Sequence, residues 1–137
     1  MKKHIYYLLI LITVTGLTSC AKEQPKAIYK EADGKTEHYV IINSIFKSGG
    51  GNKTVWTKVV THDAKDVKTG KQYESHKIKY ELYCGDHKFK KIREIINYTD
   101  GTTSDVDFGY RTTVDTILAG TLTDKLYEIV CEGKKPE

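Results

Sequence analysis

Three thiols stand in this sequence, Cys20, Cys84 and Cys131, and their surroundings point to different chemistry. Cys20 follows Leu17-Thr18-Ser19 at the end of an apolar run. Cys84 and Cys131 lie far apart and form no C-x-x-C, so a metal or redox pair lacks its usual spacing. His38, His62, His76 and His87 are scattered. His62-Asp63 and Asp86-His87 hold acid–base and ligand groups, but sequence neighbours face apart on a strand and neither pair has ligand spacing. No G-x-S-x-G, H-E-x-x-H or Walker loop occurs, and nothing pairs a nucleophile with a base. Asp105, Asp107 and Asp115 lack the ordered carboxylate loop of a calcium site. The residues argue against an enzyme and against a resident metal. Haem ligation by one of the histidines is the single cofactor reading they leave open.

The N-terminus gives the thiol at Cys20 its context. Lys2, Lys3 and His4 precede an apolar stretch from Ile5 to Leu17. That run is about 13 residues, short of the ~20 a spanning helix needs, so it reads as a secretory signal. Leu17-Thr18-Ser19-Cys20 resembles the lipobox of bacterial lipoproteins. The resemblance implies cleavage before Cys20, a diacylglyceryl thioether on its sulfur and an acylated amino group. Two or three chains hold a protein durably on a bilayer, where a single chain binds marginally. Ala21 in the next position resembles an outer-membrane address.

The exported remainder, residues 20–137, is long enough for one domain with a modest core. Lys2 and Lys3 carry part of the formal charge of +4 and leave with the signal. The cations that stay are nearly all lysine, with Arg93 and Arg111 the exceptions. Arginine is the preferred residue for bidentate phosphate and base recognition, so nucleic acid is a poor partner for this chain. In an oxidising compartment, Cys84 and Cys131 read as a disulfide.

Residues 20–36 are polar and lysine-rich, with Pro25 and Gly34, and read as a lipidated N-terminus and flexible tether; 37–137 form the domain. Short strand signals fill that domain: His38–Ile42, Ser44–Lys47, Thr54–His62, Ser75–Cys84, Phe89–Tyr98 and Asp105–Tyr110. Gly49-Gly50-Gly51-Asn52 and Asp100-Gly101 read as hairpin turns, and Asp63 to Glu74 as a long polar loop. Ile78, Tyr80, Leu82 and Cys84 alternate with Lys77, Lys79, Glu81 and Tyr83, the period of a half-buried strand. Trp56 reads as packing in the core or at its edge. One helical pattern stands at the C-terminus, where Leu122, Leu126, Ile129 and Val130 form a stripe behind a threonine cap. The expected fold is α+β and mainly β: a curved antiparallel sheet of about six strands, with the C-terminal helix packed on one face. A Cys84–Cys131 bond tethers that helix, whose last turn would unwind to let Cys131 reach across.

The order of these segments resembles a known family. Thr54-Val55-Trp56-Thr57-Lys58 comes first, then Leu82-Tyr83-Cys84 with Phe89-Lys90-Lys91-Ile92-Arg93 behind it. Tyr98-Thr99-Asp100-Gly101 and Leu126-Tyr127-Glu128-Ile129-Val130-Cys131 complete the series. This is similar to the surface-adhesin protein E family over roughly residues 38–131. The resemblance implies a curved sheet with a disulfide-tied helix; the family's best-known member is an outer-membrane lipoprotein that binds host extracellular-matrix proteins, and haem binding is also ascribed to that member. It carries no ligand-contacting residues over to this chain.

The remaining surface signal is basic. Lys65, Lys68 and Lys71 line the long loop, Lys77 and Lys79 the polar face of the next strand, and Lys90, Lys91 and Arg93 the strand after it. If those strands are neighbours, the cations form one patch able to steer acidic host proteins, acidic polysaccharides or anionic headgroups. Asp66, Glu74, Glu81, Asp86 and Glu94 dilute it, and a solvated face that resists aggregation is the plainer account. The working expectation is an adhesin at the outer membrane, facing either the outside or the periplasm. A periplasm-facing accessory lipoprotein and a carrier of haem or lipid are the alternatives. Oligomeric state is not legible in the residues.

Overall fold

The computed structural model describes residues 22–62 and 64–136. The signal segment and the lipidation site expected at Cys20 lie outside the described residues. Strand β5 (Tyr73–Tyr83) sets the architecture. Its alternation buries Ile78, Tyr80 and Leu82 on one face and leaves Lys77, Lys79 and Glu81 on the other. β4 (Lys53–Thr61) and β6 (Lys88–Tyr98) flank it, both antiparallel. β2 (Thr36–Ile41) and β1 (Pro25–Lys30) extend the sheet beyond β4, and β7 (Thr103–Asp107) closes the far side. The order is β1-β2-β4-β5-β6-β7, with two-residue strands β3 (Phe46–Lys47) on β4 and β8 (Asp115–Thr116) on β6. The result is an open antiparallel sheet of eight strands with one helix, α1 (Leu122–Val130). Among the described residues no helix is long and apolar enough to cross a membrane.

The core lies between the sheet and α1. Leu126 and Val130 pack with Val40, Val55, Leu82 and Ile117. The helix starts where Thr121 accepts a hydrogen bond from the Asp124 N–H at 3.3 Å, and Asp124 sits favourably at the positive end of the dipole. Its last turn stays helical rather than unwinding. Cys131 caps it in the right-handed helical region and bonds to Cys84, with Cα atoms 5.4 Å apart. Two further contacts hold the helix end. The Tyr127 hydroxyl donates to the Cys84 carbonyl at 2.6 Å, and Lys53 Nζ donates to the Val130 carbonyl at 2.7 Å. Lys53 faces the helix because it stands opposite Leu82, so its charge meets the negative end of α1.

Several readings differ from the sequence expectation, among them the strand expected at Ser44–Lys47, where Ile42–Ser44 forms a 3-10 turn and only Phe46–Lys47 is a strand. Pro25–Lys30, expected within the tether, forms β1 against β2. An edge strand has one neighbour and tolerates lysines and a leading proline, so its composition does not look like a strand. β7 occupies Thr103–Asp107 rather than Asp105–Tyr110, because the Asp100-Gly101 turn closes at once: Tyr98 N–H donates to the Thr102 carbonyl at 2.9 Å and Gly101 takes a φ of 83°. Trp56 lies half-buried on the sheet face opposite the helix, across from Lys79.

The disulfide closes a loop spanning 47 positions. Chain-entropy reasoning gives it about 4 kcal/mol. A Cys84→Ser/Cys131→Ser variant is expected to lose that much in urea unfolding monitored by circular dichroism; an unchanged midpoint would remove the disulfide from the account of stability.

Candidate functional site

The outward face of the central strands is built by cross-strand register. Lys77 stands opposite Lys58 of β4, and Lys79 stands between Trp56 of β4 and Arg93 of β6. Lys90 stands opposite Glu81. Two pairs of like charges thus face each other in adjacent rows, an arrangement that costs stability in a sheet. Local partners relieve part of it. Lys77 is bonded to the Glu23 carboxylate. Arg93 makes a two-pronged contact with Asp105, at 2.9 Å from Nε and 2.7 Å from Nη2. Lys90 lies 3.0 Å from Glu81. Burial pushes the Glu81 carboxyl up, but bonds from Lys90, Ser48 and Tyr83 outweigh it and hold the group below its ordinary value. Lys79 lies over the Trp56 ring, 5.8 Å from its centroid.

A β-bulge decides which cations share this face. Between Lys79 and Tyr80 the pairing skips one residue of β6, so Ile92 is extra. Without it Arg93 would point toward the helix side; with it Lys90 and Arg93, three apart in sequence, both face outward. Lys91 does not join them. It stands opposite Tyr80 on the helix side, where its Nζ lies 3.3 Å from Glu94 and 4.6 Å from the Phe108 ring centroid. The patch expected to include Lys91 is therefore divided. Lys58, which the sequence reading left out, belongs to the outward group; its i, i+2 alternation with Trp56 was the available signal.

Lys65, Lys68 and Lys71 occupy a separate place, the 64–72 loop at one end of the sheet. Asp66 organises that loop. Its Oδ1 accepts the N–H groups of Lys68 and Thr69 at 2.8 and 3.0 Å, and its Oδ2 accepts the Tyr98 hydroxyl at 2.8 Å. The Tyr98 hydroxyl is the main reason the Asp66 carboxyl titrates below its ordinary range. Lys71 is drawn back onto the β6–β7 turn, with Nζ 2.7 Å from the Thr102 hydroxyl and 2.9 Å from Asp100. Lys65 and Lys68 stay exposed, with Val67 fully exposed between them.

His38, His76 and His87 are taken up by side-chain contacts, while His62 is exposed. His38 and His76 each lie 2.8 Å from a carboxylate, Glu31 and Glu94 respectively. His76 holds Glu94 below its usual pKa against the opposing effect of burial. His87 packs edge-on against Tyr127, with centroids 4.3 Å apart. Among the described residues no group of three histidines, cysteines or carboxylates could hold a metal ion.

The described residues thus form an open antiparallel sheet with one disulfide-clasped helix and two separate basic surfaces. A family model described as surface-adhesin protein E matches residues 27–132, and the chain belongs to that family. The match takes in both disulfide cysteines and strand β1 from Ala27. A solved structure of protein E from non-typeable Haemophilus influenzae is similar, at 13% identity and a TM-score of 0.49, covering 82% of this chain and 79% of that one. No curated protein matches the chain.

The 64–72 loop and the β6–β7 turn carry a titration test. The Thr102 hydroxyl, then the Lys71 ammonium, bring the Asp100 carboxyl from 3.8 to about 2. A depressed carboxylate contributes its stability above the ordinary value and loses it as pH falls toward the lowered one. Carboxyl NMR titration is expected to give Asp100 a midpoint about 2 in the native chain, and one nearer 3.8 in Thr102→Val. Equal midpoints would remove the Thr102 bond as the cause.

Proposed function

We infer that this protein is a lipid-anchored surface adhesin that meets host matrix proteins through the basic loop at one end of its sheet. Family membership over residues 27–132 carries the reading. Cys20 supplies the anchor, with the signal and lipobox pattern as its support. In the 64–72 loop, Asp66 and Tyr98 fix the backbone, while the side chains of Lys65, Val67 and Lys68 are exposed. A rigid loop with exposed lysines around an exposed aliphatic tip steers an acidic partner and then offers it an apolar contact. Lys71 contributes less because Asp100 and Thr102 already hold it.

Orientation is the first test. Protease added to intact cells is expected to remove the domain from immunoblots while a periplasmic control survives. Full protection would turn the domain toward the periplasm and replace adhesion with an envelope role. Binding is the second. Lys65→Glu/Lys68→Glu is expected to slow association with immobilised matrix proteins by about tenfold or more at low salt, and to flatten the salt dependence. Unchanged association would exclude the loop as the contact.

A further inference from the structure

We propose that the outward face of β4 and β5, with Lys58, Lys77, Lys79, Trp56 and Phe46, lies against an anionic lipid bilayer. The proposal rests on the lipid-anchor reading of Cys20 and says where the domain must sit if that anchor is present.

The first described residues are fastened onto this face. Asn43 Nδ2 donates to the Lys22 carbonyl at 3.0 Å, and Gln24 N–H donates to Asn43 Oδ1 at 3.3 Å. The Ile42 N–H donates to the Gln24 carbonyl at 3.2 Å, and between them the Glu23 carboxylate reaches Lys77. Only Ala21 separates Lys22 from Cys20 in the sequence. Two residues span about 7 Å when fully extended, and the three to Glu23 span about 10 Å. The headgroup layer on each side of a bilayer is itself roughly 5–8 Å deep. A thioether-linked lipid on Cys20 therefore brings the headgroups to the face on which Glu23 lies. The sequence alone suggested a tether of 20–36 that would let the domain stand away; the pinned residues remove that freedom.

The chemistry of the face suits a bilayer surface. An open groove of about 390 Å³ is lined by Ile41, Phe46, Trp56 and Ile95, with Glu23 and Lys77 at its rim. Phe46 is 62% exposed, a large aromatic left in water by the fold. Half-buried Trp56 with a lysine over it is the pairing of amphipathic ring and long cationic stem favoured at membrane interfaces. Over β4 and β5 the outward cations are Lys58, Lys77 and Lys79; of the carboxylates beside them, Glu23 is held by Lys77 and Glu81 by Lys90, while Asp105 and Asp107 stand on β7, two strands from β5. Anionic headgroups relieve the like-charge pairing of Lys58 with Lys77 and of Lys79 with Arg93, which the isolated sheet bears as a cost. The acyl chains supply the attachment; the cations and aromatic rings supply the orientation. With this face down, α1 points away from the lipid and the 64–72 loop lies to the side, clear for a protein partner.

Trp56 is the chain's only tryptophan and reports its own position. The full-length lipidated protein is placed in phosphatidylglycerol–phosphatidylethanolamine vesicles carrying brominated acyl chains, after mass spectrometry of the N-terminal peptide. The expected result is acylated Cys20 and strong quenching of Trp56. A reporter moved to the helix, Trp56→Phe/Lys125→Trp, is expected to show none. Lys58→Glu/Lys79→Glu, folded by the criterion of its circular dichroism, is expected to lose the quenching while keeping its lipid. Cys20 without acyl chains would overturn the anchor and the proposal with it. Acylated Cys20 with Trp56 unquenched, or with both reporters quenched alike, would overturn the proposal alone and leave the face free for a protein ligand. Quenching that survives the lysine changes would overturn the role given to the cations.

Discussion

The bond between Cys84 and Cys131 is the constraint on which the rest of this structure depends. An open sheet has one face that must be covered, and a nine-residue helix is too short to be stable by itself. Joined to the end of β5, α1 can lower Leu126 and Val130 onto Val40, Val55 and Leu82 without searching for its place. The Tyr127 hydroxyl on the Cys84 carbonyl and the Lys53 ammonium on the Val130 carbonyl then fix its angle. Core, helix and sheet thus meet at one corner, and the opposite face of the same strands is left free to carry charge.

What that free face carries is settled by pairing. Each cation takes its place from the strand beside it: Lys58 meets Lys77, Lys79 meets Arg93, and Lys90 meets Glu81. The bulge at Ile92 is a small irregularity with a large consequence, because it shifts the inward and outward sets of β6 by one residue. Lys91 is sent to the helix side, where Glu94 and Phe108 receive it, and Arg93 is sent to the outward side. A run of basic residues that looks continuous along the chain is divided between two surfaces.

The first described residues are joined to this arrangement by their own contacts. Strand β1 and the bonds of residues 22–24 to Asn43, Ile42 and Lys77 draw the chain close to the outward face. Under the proposed lipid anchor at Cys20, a domain held this closely would have few orientations available, and the attachment would divide its surfaces between those near lipid and those open to partners. The loop organised by Asp66 would then belong to the second kind.

The sequence by itself determined the elements whose signals are local. The alternation from Ile78 to Leu82, the Asp100-Gly101 turn, the threonine-capped stripe of α1 and the even pair of cysteines each depend on residues a few positions apart or on a simple count. From these the mainly antiparallel fold with a disulfide-tied helix was legible. Edge strand β1 was not, because an edge needs no apolar alternation, and two-residue β8 was too short to leave a pattern. The division of the cations was decided by tertiary structure alone. Which side a lysine occupies depends on register, and register here turns on one bulge that no residue in β6 announces. The same holds for Glu23: its partner Lys77 lies 54 positions away, and only the folded sheet brings the two together.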